Sequence, residues 1–224
     1  MMNPIYKLYC LVYPEKCPYC GDIIKSEAIA CSKCMEKIDT LQKPIFRGAG
    51  GYRCVASFLY DGSVRRMILG VKYAGKIQYL AQVAEIMAKD IRTAYDGIDF
   101  DLITYVPMFK ADQKQRRYNQ AKLLAIQLSK RLGIPCEETL LKIKRTQKQQ
   151  RLKYQQRKTN LSGAFKVRDK ELIKGKKILI VDDIVTTGIT LGTCCRTLSR
   201  SKPLLLCCAA IANAQHNLPE AAII

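Results

Sequence analysis

The sequence predicts an α/β fold, a parallel sheet flanked by helices, preceded by a small four-cysteine element. Three observations carry this. Short β-branched apolar runs alternate with stretches of helical period, the order that builds a parallel sheet. One run, residues 178–181, passes directly into a Thr/Gly-rich loop and a helix start. Two CxxC pairs stand near the N-terminus. A chain of 224 residues holds one sizeable domain and a small appendage, and 48% hydrophobic content supports a packed core. No run approaches the ~20 apolar residues of a membrane span, so a soluble chain without a transmembrane segment is expected. Residues 1–11 lack a small-residue cleavage site and are not read as a signal peptide.

Residues 1–15 read as an amphipathic lead, with Ile5, Leu8, Tyr9 and Val12 on one face and Pro14 ending it. Cys17 and Cys20 follow, and ten residues later come Cys31 and Cys34. Four thiolates from two tight turns close a tetrahedral site, and Gly21 lets the first turn fold back. Without a histidine or fifth ligand nearby, a structural zinc is the expected occupant. A redox CxxC and two disulfides are the alternatives, weakened because matched pairs in one short segment suit a metal better than thiol exchange. So small an element lacks an adequate core, and metal would supply much of its folding energy. Residues 1–44 form this element.

A short helix is expected at 35–42, a Pro/Gly-rich linker at 44–51, and the main domain over 52–224. Residues 54–60 read as a strand and 62–71 as a helix burying Val64, Met67, Ile68 and Val71. Leu80, Val83, Ala84, Met87 and Ile91 form another helical face, residues 101–106 a strand stopped by Pro107, and 121–132 a helix ended by Gly133. Residues 109–120 are polar and basic without a clear element. Residues 204–211 supply a last buried strand. Cys194, Cys195, Cys207 and Cys208 fall inside apolar elements and read as core thiols.

The net charge of +19 is concentrated: residues 110–177 hold 21 Lys/Arg against 5 Asp/Glu. Such clustering favours a polyanion, whether nucleic acid, pyrophosphate or acidic lipid. Residues 142–158 carry eight basic side chains, no acidic one, five Gln and Tyr154, and have no clean period. They read as a flap over an anion site, a track for a nucleic-acid strand, or both. The sole histidine, His216, lies in the C-terminal tail, so no Ser/His/Asp or Cys/His nucleophile set is available.

The strand at 178–181 leads to Asp182 and Asp183 and then to Thr186, Thr187, Gly188, Ile189 and Thr190. Small residues, hydroxyls and one permissive backbone position let amides converge on an anion at a helix N-terminus. Two carboxylates at a strand end suit vicinal hydroxyls or hydrated Mg²⁺. A sugar phosphate satisfies both. This stretch resembles the phosphoribosyl-pyrophosphate (PRPP) motif of type I phosphoribosyltransferases. The resemblance implies ribose on Asp182 and Asp183 and the 5′-phosphate on residues 186–190. Thr186 stands where many hypoxanthine- and guanine-specific members have Asp, which counts against purine salvage, because an unshifted hydroxyl is a poor base.

Almost end to end, the chain resembles the ComF family, which joins a four-cysteine zinc element to a phosphoribosyltransferase-like domain. The matching positions include the four cysteines, Lys72-Tyr73, Val106-Pro107, Arg116, Tyr118-Asn119-Gln120, Thr146, Gln149, Leu152, Arg157, Asn160, Ala164, Phe165 and the PRPP-like motif. Arg117 departs from the Gly usual before the aromatic-Asn-Gln triplet, and strain of about 1 kcal/mol is expected if the turn stays left-handed. The family implies a role in uptake of transforming DNA, a cytoplasmic place at or near the inner face of the membrane, and partners in a DNA-uptake helicase or recombination machinery. Lys72, Arg116, Lys148, Arg151, Lys153, Tyr154 and Arg157 are the candidate contacts to single-stranded DNA or pyrophosphate. Three functions stay open: an accessory of DNA uptake that binds ribose phosphate and strand, an active phosphoribosyltransferase using Mg²⁺ with PRPP, and a PRPP-sensing regulator.

Overall fold

The computed structural model describes residues 14, 16–24, 28, 30–41, 45–48, 50–60, 62–146 and 161–214. Its main sheet runs β1 (Ile45–Gly48), β2 (Arg53–Leu59), β7 (Leu205–Asn213), β6 (Lys177–Val185), β3 (Leu102–Tyr105). β1 is antiparallel to β2, and the other pairings are parallel. β6 and β7 hold the centre, which explains why residues 178–181 form an unbroken apolar run: both faces are covered.

Helices α2 (Gly62–Tyr73), α3 (Tyr79–Ala94) and α5 (Gln120–Leu132) cover one face. They bury Met67, Ile68, Val83, Met87, Leu124 and Leu128 in one cluster with Leu179 and Val181 of β6. The other face carries α6 (Ile189–Ser199) and a two-stranded β4 (Leu140–Lys142)/β5 (Phe165–Val167) ribbon. There Leu191, Cys194, Cys195 and Leu198 share a cluster with Ile178, Ile180 and Cys208. The four cysteines expected in the core are fully buried.

The N-terminal element contains α1 (Ser32–Leu41) and is seated on the first face. Tyr19, 1% exposed, lies 6.5 Å from Phe58 of β2 between ring centroids, and Gln82 Nε2 of α3 donates to the Ala28 carbonyl at 3.1 Å. The element therefore shares the main domain's core, which lessens its need to bury surface by itself.

Two spans differ from expectation. The stretch read as linker contains β1, which satisfies the free edge of β2; Gly48 is its last residue, and at four residues the strand is too short to show an apolar period. Gly50 then approaches α6 so closely that a Cβ would meet the Gly192 Cα at 2.9 Å. In the polar stretch before Gln120 lies the short helix α4 (Lys110–Arg116), which buries no residue and so left no apolar period to find.

The turn from α4 to α5 answers the Arg117 question. Arg117 caps α4 at φ 69°, ψ −18°, so the left-handed turn persists without glycine. Asn119 then takes extended geometry and its Oδ1 accepts from the amides of Ala121 at 3.0 Å and Lys122 at 3.4 Å, an N-cap that starts α5. Gly133, at φ 73°, ends it. Since Arg117 is exposed, Arg117→Gly should stabilise the protein by about 0.5–1 kcal/mol in denaturant melts, relief of strain exceeding the added chain entropy. Equal or lower stability would show that the turn stores no strain.

Candidate functional site

β3 pairs with β6 only as far as Tyr105 opposite Val181, whereas β6 continues beside β7 to Val185. Asp182 and Asp183 therefore lie just past the β3 pairing, at the carboxyl edge where a parallel sheet opens its crevice. Alternation along β6 sends them to opposite faces. Asp183 goes to the side of α2 and α5, where it is 6% exposed, and Asp182 is half-buried toward β4 and α6.

The Asp183 carboxylate is held from two directions. Lys72 Nζ, in the last turn of α2, lies 3.0 Å from Oδ2, and Gln120 Nε2, at the start of α5, donates to the same oxygen at 2.6 Å. Burial alone would lower the Lys72 pKa, but the facing carboxylate outweighs it and holds the ammonium above the usual lysine value. Asp182 differs. Burial and the neighbouring Asp183 charge push it up to about 7, against the Asp183 amide, which donates to its Oδ1 at 2.8 Å, and the charges of Lys72 and Lys142. At neutral pH it is a carboxyl poised between forms, ready to be drawn to carboxylate by a cation or a pair of hydroxyls.

Tyr118, Asn119 and Gln120 each fasten one element to this edge. The Tyr118 hydroxyl donates to the Val71 carbonyl in α2, Asn119 Nδ2 donates to the Val106 carbonyl after β3 at 3.0 Å, and Gln120 holds Asp183. The sequence marked this triplet but gave no hint of its use, because all three partners are distant in the chain. Arg116 extends the network: its guanidinium lies 3.5 Å from Gln120 Oε1, 3.4 Å from the Tyr73 hydroxyl and 5.1 Å from the centre of that ring.

Beside these groups opens a cavity of about 830 Å³, lined among others by Lys72, Tyr73, Arg116, Arg117, Lys142 and Arg145, with Asp112 as the one carboxylate among the described lining residues. Its charge suits a polyphosphate. Of the predicted anion contacts, Lys72 and Arg116 are brought together here, while Lys148, Arg151, Lys153, Tyr154 and Arg157 lie outside the described residues. Lys142 and Arg145 are not free of counter-charge, as their local sequence suggested. Arg145 is 3.5 Å from Asp112, and Lys142 feels both Asp112 and Asp182. Folding supplies the acids that the segment lacks.

The loop at 186–190 follows β6 directly, with Gly188 in the left-handed region at φ 69° as the N-cap of α6, a position with no side chain to offer the helix. Amides at a glycine-led helix start suit an anion. These residues do not line the large cavity.

At the N-terminal element the sulfurs of Cys17, Cys20, Cys31 and Cys34 all lie within 4.8 Å of one another, Cys20 and Cys31 at 3.6 Å. A tetrahedron with Zn–S near 2.3 Å needs sulfurs about 3.8 Å apart. Each pair is folded for ligation: the Cys17 amide donates to the Asp22 carbonyl at 2.7 Å with Gly21 at φ 90°, and Met35 N–H donates to the Cys31 carbonyl at 2.9 Å. Against the upward push of burial, the backbones of Cys31, Cys20 and Tyr19 bring Cys17 down to about 7, while burial and the other thiols raise Cys34. Four sulfurs at this spacing suit a tetrahedral metal cation. The site is a structural zinc site.

The Phosphoribosyl transferase domain family matches residues 119–222, and the Double zinc ribbon domain family matches residues 8–50. Over 190 residues the chain is 27% identical to the DNA utilization protein YhgH of Salmonella typhimurium, covering 83% of this chain and 78% of that one. Over 181 residues it is 28% identical to Competence protein F of Haemophilus influenzae, covering 79% and 75%. A solved adenine phosphoribosyltransferase aligns over 70% of this chain and 77% of its own, at 14% identity and a TM-score of 0.42, too low to bear on function.

The zinc assignment predicts full metal occupancy in the intact protein and its loss in Cys17→Ser plus Cys34→Ser, read by elemental analysis. Metal retained by that variant would place it elsewhere.

Proposed function

We propose that this chain, which belongs to the ComF family of competence-associated proteins, binds PRPP or another ribose 5-phosphate at the carboxyl edge of its sheet and single-stranded DNA on its basic surface, in the service of DNA uptake. The observation that carries the sugar-phosphate reading is the setting of the acidic pair. Asp183 is fixed by Lys72 and Gln120, Asp182 is left half-buried with a raised pKa, and the glycine-led start of α6 follows within six residues. A ribose with its 5′-phosphate over residues 186–190 would place its hydroxyls on Asp182 and its C1 substituent toward the cations of the large cavity. Mg²⁺ fits as a partner of the Asp182 carboxylate and the ligand's own phosphates, since that ion keeps several waters and takes few protein ligands.

The DNA part rests on the charge of the 110–177 region and on relatives named for DNA utilization and competence. The same cations also suit departing pyrophosphate, which keeps transfer of a ribosyl group as a second reading. No helix among the described residues is long and apolar enough to cross a membrane. A cytoplasmic location, peripheral to the inner face of the membrane, suits a partner of a DNA-uptake helicase or recombination machinery.

The two aspartates should separate under mutation. Asp182→Asn should abolish Mg²⁺-dependent PRPP binding in calorimetry while the protein stays folded. Asp183→Ala should cost about 3–5 kcal/mol of stability, because it strands the Lys72 charge in a buried place. In the wild type, affinity should rise as pH climbs through about 7, the point at which Asp182 ionises. The sign for stability is opposite: the folded pKa lies above the unfolded one, so this proton's contribution is full below pH ~4 and is lost as pH rises to ~7. Unchanged PRPP affinity in a folded Asp182→Asn variant would remove the carboxylate from the site.

Single-strand binding should weaken steeply with salt, each neutralised phosphate adding about −0.7 to the slope of log K against log salt. Replacing Lys148, Arg151 and Lys153 by Gln should flatten that slope by about two units and spare PRPP binding. A wild type without DNA binding at low salt would favour the transferase.

A further inference from the structure

On the side of α6 left outside the core, Thr193, Arg196, Thr197 and Arg200 recur at helical spacing and form one stripe. Together with Ser162 and Gly163 they line a cavity of about 420 Å³ that holds no carboxylate among its described lining residues. None of residues 182–190 lines it, so it is distinct from the acidic pair and the loop that follows. The two arginines stand in and just past the last turn of α6, where the helix dipole favours a cation. The dipole accounts for charge at that end, but not for its arrangement around a hollow.

Arg196 is held in place by neutral groups. Its Nη2 donates to Thr193 Oγ1 at 3.0 Å, and that hydroxyl gives its own proton to the Ile189 carbonyl at 2.7 Å. Gly50 leaves room for the same guanidinium, since a Cβ there would come within 3.2 Å of Nη1. Neither Arg196 nor Arg200 has an ion pair among the described residues. Lys144 adds a third cation at the rim, its Nζ 3.3 Å from where a Cβ on Gly163 would stand. Cations gathered around one hollow without a counter-charge repel one another until an anion joins them. Two guanidiniums, an ammonium and the exposed Ser162 hydroxyl offer donors to several oxygens at once, which matches a phosphate better than a carboxylate with its two. The cavity also adjoins the larger one. Phe165 lines this cavity and Lys142 the other; they are register partners at the end of the β4/β5 ribbon, with Lys142 Nζ 6.0 Å from the Phe165 ring centre.

We infer that the hollow between α6 and residues 162–163 is a second phosphate-binding site, separate from the sheet edge, in which Arg196 and Arg200 clasp one phosphate group. Thr193 has a positioning role, since it steers the Arg196 fork. The group belongs either to the backbone of a strand that continues past the β4/β5 ribbon or to a free phosphorylated ligand.

Crystals of the zinc-loaded full-length protein soaked in tungstate, a heavy analogue of inorganic phosphate, should show an anomalous peak between Arg196 and Arg200. The variant Arg196→Gln plus Arg200→Gln changes two exposed side chains and touches neither Asp182 nor residues 186–190. Calorimetry of that variant with a dT oligonucleotide and with inorganic phosphate distinguishes the two sources. Oligonucleotide affinity reduced about tenfold, with the slope of log K against log salt flatter by about 1.4, assigns a strand. Loss of one bound phosphate, with oligonucleotide affinity kept within about twofold, assigns a free ligand. Mg²⁺-dependent PRPP binding should stay within about twofold in either case. No tungstate between the arginines, a variant that binds both probes as wild type does, or a variant that loses PRPP along with them overturns a separate site. A wild type that binds no PRPP counts against the sheet-edge reading and leaves this site standing.

Discussion

The buried contact between Lys72 and Asp183 organises the carboxyl edge of this protein. A charged pair this enclosed is stable only when each group is matched, and here the match recruits three separate elements: the end of α2, the start of α5 and the tail of β6. Asp183 is fastened from both sides, while its neighbour Asp182 takes no part in that contact. The two carboxylates differ in setting because strand alternation puts them on different faces, one fastened and the other half-buried with a raised pKa.

The turn between α4 and α5 serves the same end. Tyr118, Asn119 and Gln120 are three consecutive side chains that reach α2, the end of β3 and Asp183, so one short segment sets the distances around the crevice. The left-handed residue just before them makes that reach feasible, and the chain accepts strain at Arg117 to keep it. The zinc element is anchored by Tyr19 beside Phe58, on the face that also carries α2 and α3.

Much of this was legible in the residues. The apolar run at 178–181, the two CxxC pairs and the helical faces of α2, α3 and α5 are patterns imposed by burial or ligation, and each reappears as an element or cluster. What stayed hidden has no local period. α4 buries nothing, β1 is four residues long, and the partnership of Gln120 with Asp183 spans 63 positions. The opposite placement of Asp182 and Asp183 depends on β6 remaining a strand past its acidic pair, which β7 imposes through pairing as far as Asn213. Lys142 and Arg145 looked unopposed because their acidic neighbours, Asp182 and Asp112, arrive only on folding.

A crystal structure of the zinc-loaded protein with ribose 5-phosphate and Mg²⁺ tests the central claim most directly. The account predicts phosphate on the amides of residues 186–190, ribose hydroxyls within hydrogen-bond reach of Asp182, and the Lys72–Asp183 contact unbroken. Phosphate lodged instead among Arg116, Lys142 and Arg145, with the 186–190 loop and Asp182 untouched, would contradict it.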